Sequence, residues 1–224
     1  MPRTIAIDGP AGAGKSTIGA LVAERLGYRF LDTGAMYRAV AVAALRKHID
    51  PDDGAALTVL ANEVRITSGP PTKQDGRAYT VLLGGSDVTW EIRAAEIDRI
   101  VSQVARIPGV RDAMVSQQQG LAAQGRVVMV GRDIGTVVLP DADHKIFLTA
   151  SAGERARRRE EELAARGERR PRQQLLHEIL RRDQLDTERV LSPLKAADDA
   201  VVVQTDGLSV REALDRVLGT IPRA

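Results

Sequence analysis

The sequence contains no cysteine, which excludes disulfides, thiolate catalysis and cysteine-based zinc sites and fits a cytoplasmic protein. Aromatic residues make up only 3% of the chain, so Ala, Val, Leu and Ile must fill the core. The longest apolar run, residues 39–45, is too short to cross a membrane. The N-terminus shows no basic segment followed by a long apolar one, so no secretory signal is expected.

Neither sign of charge dominates, because 32 basic residues face 30 acidic ones and the net charge is +2. This balance provides no general attraction to nucleic acid, and we expect small-molecule partners. Of the basic residues, five are Lys and 27 are Arg. Codon bias accounts for most of this excess, but arginine also binds phosphate through two parallel hydrogen bonds. With 224 residues, 43% of them hydrophobic, the chain can build one core but not two ordinary enzyme domains.

Short apolar strands alternate with helices along most of the chain, which predicts a doubly wound parallel sheet. Strands are predicted at residues 4–8, 28–31, 127–130, 145–149 and 201–203. Helices are predicted over residues 33–48, 90–106 and 109–124. Further helices are predicted from the glycine-rich loop to residue 26, from the break at 50–53 to about 61, from 151 onward, from the break at 167–171 to about 183, and after Ser209. Capping-box patterns open the helices that follow Ser151 and Ser209. Residues 64–67, 79–83 and 87–88 interrupt this alternation and predict a small antiparallel insert.

Residues 9–16 read Gly-Pro-Ala-Gly-Ala-Gly-Lys-Ser and match the phosphate-binding pattern G-x-x-x-x-G-K-[ST] in full. The glycines let successive backbone N–H groups surround phosphate oxygens, and the start of the following helix favours the same anion. Lys15 would reach the β- and γ-phosphates, and the Ser16 hydroxyl would bind Mg²⁺. A strand precedes the pattern and a helix follows it, as the motif requires. The predicted triphosphate site consists of Gly9, Gly12, Ala13, Gly14, Lys15, Ser16 and Thr17.

Two classes of P-loop protein compete, a phosphotransferase and a regulatory or mechanical NTPase. The chain lacks the Asn-Lys-x-Asp motif of guanine-specific switches, and its length leaves little room for a transducing domain. A small kinase needs a second phosphate site, and groups of Arg and Asp beside predicted loops suit one. Each of these residues taken singly is more often a solvated charge. The group comprises Arg38, Arg132, Asp133, Arg182, Asp186 and Arg189, of which the last three share one predicted helix face.

Five stretches give the chain a resemblance to bacterial cytidylate kinases, which are P-loop nucleoside monophosphate kinases, over nearly its whole length. They are residues 7–17, 31–38 (Leu-Asp-Thr-Gly-Ala-Met-Tyr-Arg), 131–138 (Gly-Arg-Asp-Ile-Gly-Thr-Val-Val), 145–149 and 181–186. The second and third are specific to that family among small kinases. The antiparallel insert also resembles the enlarged nucleotide-binding domain of the bacterial members. The resemblance implies an α/β fold, a P-loop doubly wound parallel sheet with helices on both faces, plus a small antiparallel insert and a helical lid.

The resemblance further implies ATP-dependent phosphorylation of CMP and dCMP to CDP and dCDP, with Mg²⁺ held by Ser16. Arg38, Arg132 and Arg189 would hold the acceptor phosphate; Ser102, Arg111 and Asp133 would read the cytosine; Tyr37, Arg182 and Asp186 would hold the ribose. Thr33 is a further substrate-binding candidate, and the catalytic candidates are Lys15, Arg132, Arg155 and Arg159. The alternatives are a UMP or other nucleoside monophosphate kinase and, more remotely, a regulatory NTPase.

The expected organisation is one monomeric domain over residues 1–224. Its core would comprise residues 1–61 and 113–224, the acceptor-binding insert about 62–112, and the lid about 153–172. The lid is expected to be exposed, with Arg155 and Arg159 sharing a helical face toward one phosphate group. An acceptor phosphate oxygen is already anionic near neutral pH, so no strong general base is required.

The chain departs from the family at Val130. Similar kinases often carry an acidic residue at this position, just before Gly-Arg-Asp, so a carboxylate that supports Mg²⁺ must come from elsewhere. Asp8 is one candidate, but capping of a loop at the end of its strand explains it equally well.

Overall fold

The computed structural model describes residues 1–165, 167–189 and 192–222. Its main sheet has five parallel strands in the order β2-β6-β1-β7-β8. These strands are β1 (Thr4–Asp8), β2 (Arg29–Asp32), β6 (Val127–Val130), β7 (His144–Thr149) and β8 (Val201–Gln204). The helices are α1 (Lys15–Leu26), α2 (Thr33–Arg46), α3 (Gly54–Glu63), α4 (Ala95–Val104), α5 (Pro108–Ala122), α6 (Ala152–Ala165), α7 (Arg172–Thr187) and α8 (Val210–Thr220).

Alternate residues of the central strands pack against different helices, because successive side chains of a strand point to opposite faces. Ala6 and Met129 lie in a core cluster with residues of α2, α3 and α5. Ile7 and Val130 lie in a second cluster with residues of α1 and α8. The prediction of a doubly wound parallel sheet with helices on both faces is therefore confirmed.

A second, antiparallel sheet of three strands lies between α3 and α4 and confirms the predicted insert. Its strands are β3 (Ile66–Gly69), β4 (Thr80–Leu83) and β5 (Ser86–Asp87). A nearly buried guanidinium, that of Arg77, binds Asp75 and Asp87 at 2.6 and 2.7 Å and joins the loop before β4 to β5. The insert therefore has an internal ion-pair network beside the apolar contacts of its strands with the core.

Several helix boundaries in the structure differ from the predicted ones. Pro108, interpreted as a break, is the first residue of α5, where a missing N–H costs nothing. The helix predicted over 90–106 consists of a short 3₁₀ turn, Glu91–Arg93, followed by α4. The helix predicted to end near residue 183 continues to Thr187, so Asp186 is helical while Arg189 lies just beyond the end of α7.

Only one of the two predicted capping boxes forms completely. Ser209 and Glu212 cap α8 reciprocally. Ser151 accepts the Glu154 N–H at 3.2 Å, but its own N–H donates to Asp206. The carboxylate of Glu154 instead pairs with two arginines of its own helix.

Helix α6, which lies in the predicted lid, packs against α7 through Ala156, Leu163 and Leu175. The predicted lid range 153–172 includes Arg166, which lies outside the described residues. Among the described helices, none has the length and apolar character needed to span a membrane.

Candidate active site

The phosphate loop connects the end of β1 to the start of α1. Gly9 has φ +147°, and a Cβ atom there would lie 1.9 Å from the carbonyl oxygen of Leu148 in β7. Gly14 precedes α1 with φ +90°, a left-handed conformation that glycine adopts without strain. The loop can therefore pass close to the neighbouring strand and lead directly into α1.

Lys15 is buried at the start of α1, and its ammonium donates to the carbonyl oxygen of Pro10 at 2.7 Å. Burial lowers the pKa of Lys15 well below its ordinary value, and repulsion from Arg132 and Arg182 lowers it further. No carboxylate in the described part of the chain forms an ion pair with it. A phosphate group would supply the missing negative charge, so Lys15 fits the triphosphate site that the sequence predicts.

The hydroxyl of Ser16 donates to the Asp32 Oδ2 atom at 2.5 Å. Tyr79 donates to the same oxygen at 2.9 Å, and the other oxygen caps α2 by accepting the Ala35 N–H. A hydroxyl beside a carboxylate is the kind of oxygen set that Mg²⁺ prefers, so these residues fit a metal of the donor nucleotide. Sequence reasoning did not single out Asp32. The signal was available, because the carboxyl ends of parallel strands meet at one edge of a sheet.

Asp8 caps a loop, but this is the loop that follows β6 and not the phosphate loop at the end of its own strand. Its two carboxylate oxygens accept the N–H groups of Ile134 and Gly135 at 2.8 and 2.7 Å, at the start of a π-type turn, Ile134–Val138. Burial raises the pKa of Asp8 to about 6, although these two N–H donors oppose the shift. Asp8 thus holds the loop that follows β6, and Asp32 is the carboxylate beside Ser16.

Three of the predicted acceptor-site residues meet at the end of β6. Asp186 receives the Arg132 Nε–H at 2.8 Å and forms an ion pair with Arg189. Burial would raise the pKa of Asp186, but the charges of Arg132 and Arg189 outweigh it and the pKa is lowered. The cations therefore outnumber the carboxylate that joins them.

Arg182 adds a further positive charge to this cluster. Burial and the neighbouring Arg132 and Arg38 charges lower the pKa of Arg182 to about 10. The buried Nε atoms of Arg182 and Arg189 have no hydrogen-bond partner within the described ranges. Unpaired cationic donors in one place are the arrangement expected of a polyanion site.

A buried ion pair between Arg111 and Asp133 lies beside Tyr37. The Arg111 guanidinium carbon is 5.8 Å from the centre of the Tyr37 ring, within the range of a cation–π contact. Burial raises the pKa of Tyr37 to about 12, so its hydroxyl stays protonated. The structure thus brings together two of the three predicted cytosine-reading residues and one predicted ribose-binding residue.

The other substrate candidates lie on α2 and α4. Thr33 donates its hydroxyl to the Val130 carbonyl oxygen at 3.0 Å. Arg38 donates to the Ile92 carbonyl oxygen at 3.0 Å and to Asp98 at 2.5 Å. Ser102 is half-buried and lies four residues after Asp98 in α4, so the two share a helix face.

The expectation of an exposed arginine lid is wrong for Arg155, which is only 4% exposed. Its guanidinium donates to the carbonyl of Ala11 at 3.0 Å and binds Asp183 of α7. Arg159 points elsewhere, to Glu162 at 2.9 Å and to Asp98 at 3.5 Å, so the two guanidinium groups do not converge on one point. Arg155 and Arg159 lie one turn apart on α6, as their spacing predicts, but their guanidinium groups bind different partners and so lie apart.

Arg158 belongs to the predicted lid, but the sequence singles out only Arg155 and Arg159 there as phosphate contacts. Its Nη1 atom lies 3.9 Å from the place a Cβ atom would take on Gly14, and its other contacts are with Glu154 and Thr205. The spacing of three residues from Arg155 was the available signal.

Phosphoryl transfer between two nucleotides needs two polyanion sites side by side. Lys15 in the phosphate loop suits one of them, and the cluster of Arg132 and Arg189 around Asp186 suits the other. The fold and the site therefore define a phosphotransferase of the P-loop kinase class.

Comparison with known proteins makes this class specific. The family model for cytidylate kinase matches residues 5–223. A cytidylate kinase of Chloroflexus aggregans is 56% identical over 218 residues, which cover 97% of this chain and 93% of that one. A cytidylate kinase of Roseiflexus castenholzii is 52% identical over 221 residues, 98% and 94% of the two chains. The chain belongs to the cytidylate kinase family, and it is a nucleoside monophosphate kinase that uses a nucleotide as phosphate donor.

A solved structure of an uncharacterized protein from Eubacterium ventriosum shares the fold, with a TM-score of 0.50 and 12% identity over 96% of each chain. This likeness concerns the fold alone.

Proposed function

We propose that the protein transfers the γ-phosphoryl group of ATP to CMP and dCMP, forming CDP and dCDP, with Mg²⁺ as cofactor. One observation carries the proposal: the buried Arg111–Asp133 pair lies near Arg189 of the arginine cluster, and Arg132 and Arg182 of that cluster lie near Lys15 of the phosphate loop. This arrangement offers a polar pocket for a base, a cationic site for its phosphate and a separate site for a triphosphate.

On the donor side, the loop N–H groups and Lys15 would hold the β- and γ-phosphates, and Ser16 would bind the metal. When bound, Mg²⁺ neutralises charge on these phosphates. Arg155 would then approach the phosphates from α6, since its guanidinium already contacts the carbonyl of Ala11. Arg159 is proposed as a second lid residue that acts from the acceptor side, where it contacts Asp98.

On the acceptor side, Arg38, Arg132 and Arg189 would hold the phosphate and leave its oxygen in line with the γ-phosphorus. This oxygen is anionic near neutral pH, so charge neutralisation and orientation supply the catalysis and no strong base is needed. Tyr37, Arg182 and Asp186 would hold the ribose. Thr33, the first residue of α2, would be a further contact of the substrate. Closure of the lid, residues 153–172, over the site would exclude water and prevent hydrolysis of ATP.

The base would be read by Asp133, with Arg111 and Ser102 beside it. Cytosine presents an amine donor at position 4, which a carboxylate accepts, whereas uracil presents a carbonyl oxygen, which a carboxylate repels. This contact favours a cytidylate kinase over a UMP kinase. We further propose a cytoplasmic monomer of one domain, with the core, insert and lid ranges that the sequence predicts; sedimentation tests the oligomeric state.

A coupled assay of ADP release across all nucleoside monophosphates tests the proposal. We expect CMP and dCMP to be the best acceptors and ATP turnover to depend on an acceptor. Equal turnover of UMP would contradict the assignment of the base pocket, and turnover without any monophosphate would favour a stand-alone ATPase.

A further inference from the structure

We infer that Tyr79 of the antiparallel insert and Asp32 of β2 position the hydroxyl of Ser16, so that the insert helps to build the metal site of the donor nucleotide. Tyr79 and Asp32 are positioning residues in this inference, since neither needs to touch a nucleotide. The inference rests on the proposed role of Ser16 as a Mg²⁺ ligand.

The three side chains form one hydrogen-bonded chain between the two sheets. The Asp32 Oδ2 atom accepts from Ser16 at 2.5 Å and from Tyr79 at 2.9 Å. Both Asp32 and Tyr79 are buried, so water does not readily replace either contact. Tyr79 stands next to β4 of the insert, whereas Ser16 is the second residue of α1. The insert is thereby joined to the donor site through a single carboxylate oxygen.

This contact decides which side of the Ser16 oxygen is free. A hydroxyl has one proton to donate and two lone pairs to offer. Because the proton of Ser16 points to Asp32, its lone pairs point away from the carboxylate and are available to a cation. Without Asp32, the hydroxyl could rotate and present its proton to the metal instead.

Tyr79 in turn fixes the carboxylate. Its ring packs against Phe30 of β2 with ring centres 5.1 Å apart, and the Arg93 guanidinium lies 5.9 Å from its centre. The phenol of Tyr79 is the donor in its 2.9 Å contact with Asp32, because an ionised carboxylate only accepts hydrogen bonds. With Ala35 N–H on the other carboxylate oxygen, Asp32 has donors on both oxygens and its orientation is set.

The expected size of the effect follows from other metal sites, in which loss of a partner that orients a ligand typically costs about 10–100-fold in metal affinity. Asp32→Asn should fall in this range, because an amide oxygen that keeps the contact with the Ala35 N–H places the amide NH₂ group, which only donates, against the Ser16 and Tyr79 hydroxyls. Asn still caps helices well, so α2 is retained. Tyr79→Phe removes one of two donors and should cost about tenfold, the lower end of the range.

The experiment measures the affinity for ADP by calorimetry with and without Mg²⁺, so that no phosphoryl transfer occurs. The ratio of the dissociation constant without Mg²⁺ to the dissociation constant with Mg²⁺ isolates the contribution of the metal. The proteins are the wild type, Ser16→Ala, Asp32→Asn, Tyr79→Phe and Tyr28→Phe. Tyr28 is the matched control, because it is also buried and donates its hydroxyl to the Pro2 carbonyl oxygen at 2.6 Å, in the cluster on the other face of the sheet.

We expect Ser16→Ala, Asp32→Asn and Tyr79→Phe to lower the ratio while the metal-free dissociation constant stays within about twofold of the wild type. Tyr28→Phe should keep the wild-type ratio. A wild-type ratio in Ser16→Ala would overturn the metal assignment in the proposed function. A low ratio in Ser16→Ala with wild-type ratios in Tyr79→Phe or Asp32→Asn would overturn the inference and leave that assignment intact. An equal loss in Tyr28→Phe would also overturn it, because the effect would then be a general one of buried hydroxyl groups.

Discussion

Arg155 of α6 and Asp183 of α7 form an ion pair through two hydrogen bonds, of 2.9 and 2.5 Å. The same guanidinium donates to the carbonyl oxygen of Ala11 in the phosphate loop. The protein itself therefore holds this arginine against the loop, and α7 determines where a residue of α6 lies. Groups fixed in this way cost little reorganisation when charge develops in a transition state.

Arg155→Ala should therefore reduce kcat more than it weakens ATP binding, as expected when a contact is stronger in the transition state. Asp183→Asn should act in the same direction with a smaller effect, because it loosens the arginine without removing it. Steady-state kinetics with varied ATP measure both constants. Arg157→Ala is the control on the same helix, since Arg157 pairs with Glu154 and Glu161. A rise in KM for ATP alone would show that Arg155 binds the ground state.

Arg159→Ala should show the same kinetic pattern for a different reason. Arg159 contacts Asp98, which also binds Arg38, so it connects the lid helix to the acceptor side. We expect kcat to fall more than the affinity for ATP, and kinetics with CMP and ATP varied separately test this. A variant with unchanged kcat would limit Arg159 to a surface contact with Glu162.

Lys15→Ala should lower kcat by ~10²–10³, equivalent to ~3–4 kcal/mol, if the ammonium stabilises charge on the transferred phosphate as we propose. Lys47→Ala serves as a control, since Lys47 is exposed and pairs with Glu63 on the surface. Measurement of kcat at saturating ATP and CMP decides the point. Near-normal turnover in Lys15→Ala would contradict the mechanism.

Asp133→Asn should narrow the preference for CMP over UMP. An unpaired buried polar group costs ~1–3 kcal/mol, so the wild type should prefer CMP by at least ~10-fold in kcat/KM. The amide offers both a donor and an acceptor, and so it tolerates either base. Because Asp133 also pairs with buried Arg111, thermal unfolding must accompany the kinetics. An unchanged ratio with uniformly lower activity would assign Asp133 to the support of Arg111 or of the acceptor phosphate.

Asp8 should make the free energy of unfolding depend on pH. Burial raises its pKa from 3.8 to about 6 in the folded protein, so the folded state binds the proton more tightly than the unfolded state. The contribution of Asp8 is greatest below pH ~4 and is lost as the pH rises through about 6, by about 3 kcal/mol. Denaturant unfolding of the wild type and Asp8→Asn from pH 4 to pH 7 measures the difference. A constant difference between the two proteins would contradict the raised pKa.

Much of the fold could be predicted because its signals are local. The alternation of short apolar strands and helices predicts the parallel sheet, and the antiparallel insert follows from strands separated by glycine turns. Two predicted boundaries are wrong: Pro108, interpreted as a break, starts a helix, and α7 continues past the predicted end because no glycine or proline stops it there.

What the sequence by itself determined is the phosphate loop. Residues 9–16 are contiguous, and the backbone conformation of their glycines and the helix that follows depend on near neighbours in the chain. Only the tertiary structure decided that Asp32 contacts Ser16, that Tyr79, 47 residues after Asp32, donates to the same carboxylate, and that Asp183 binds Arg155. The physical reason is that a side chain finds its partner through the order of strands and the packing of helices. Residues far apart in the chain meet only when the whole core has formed, so no local pattern encodes their contacts.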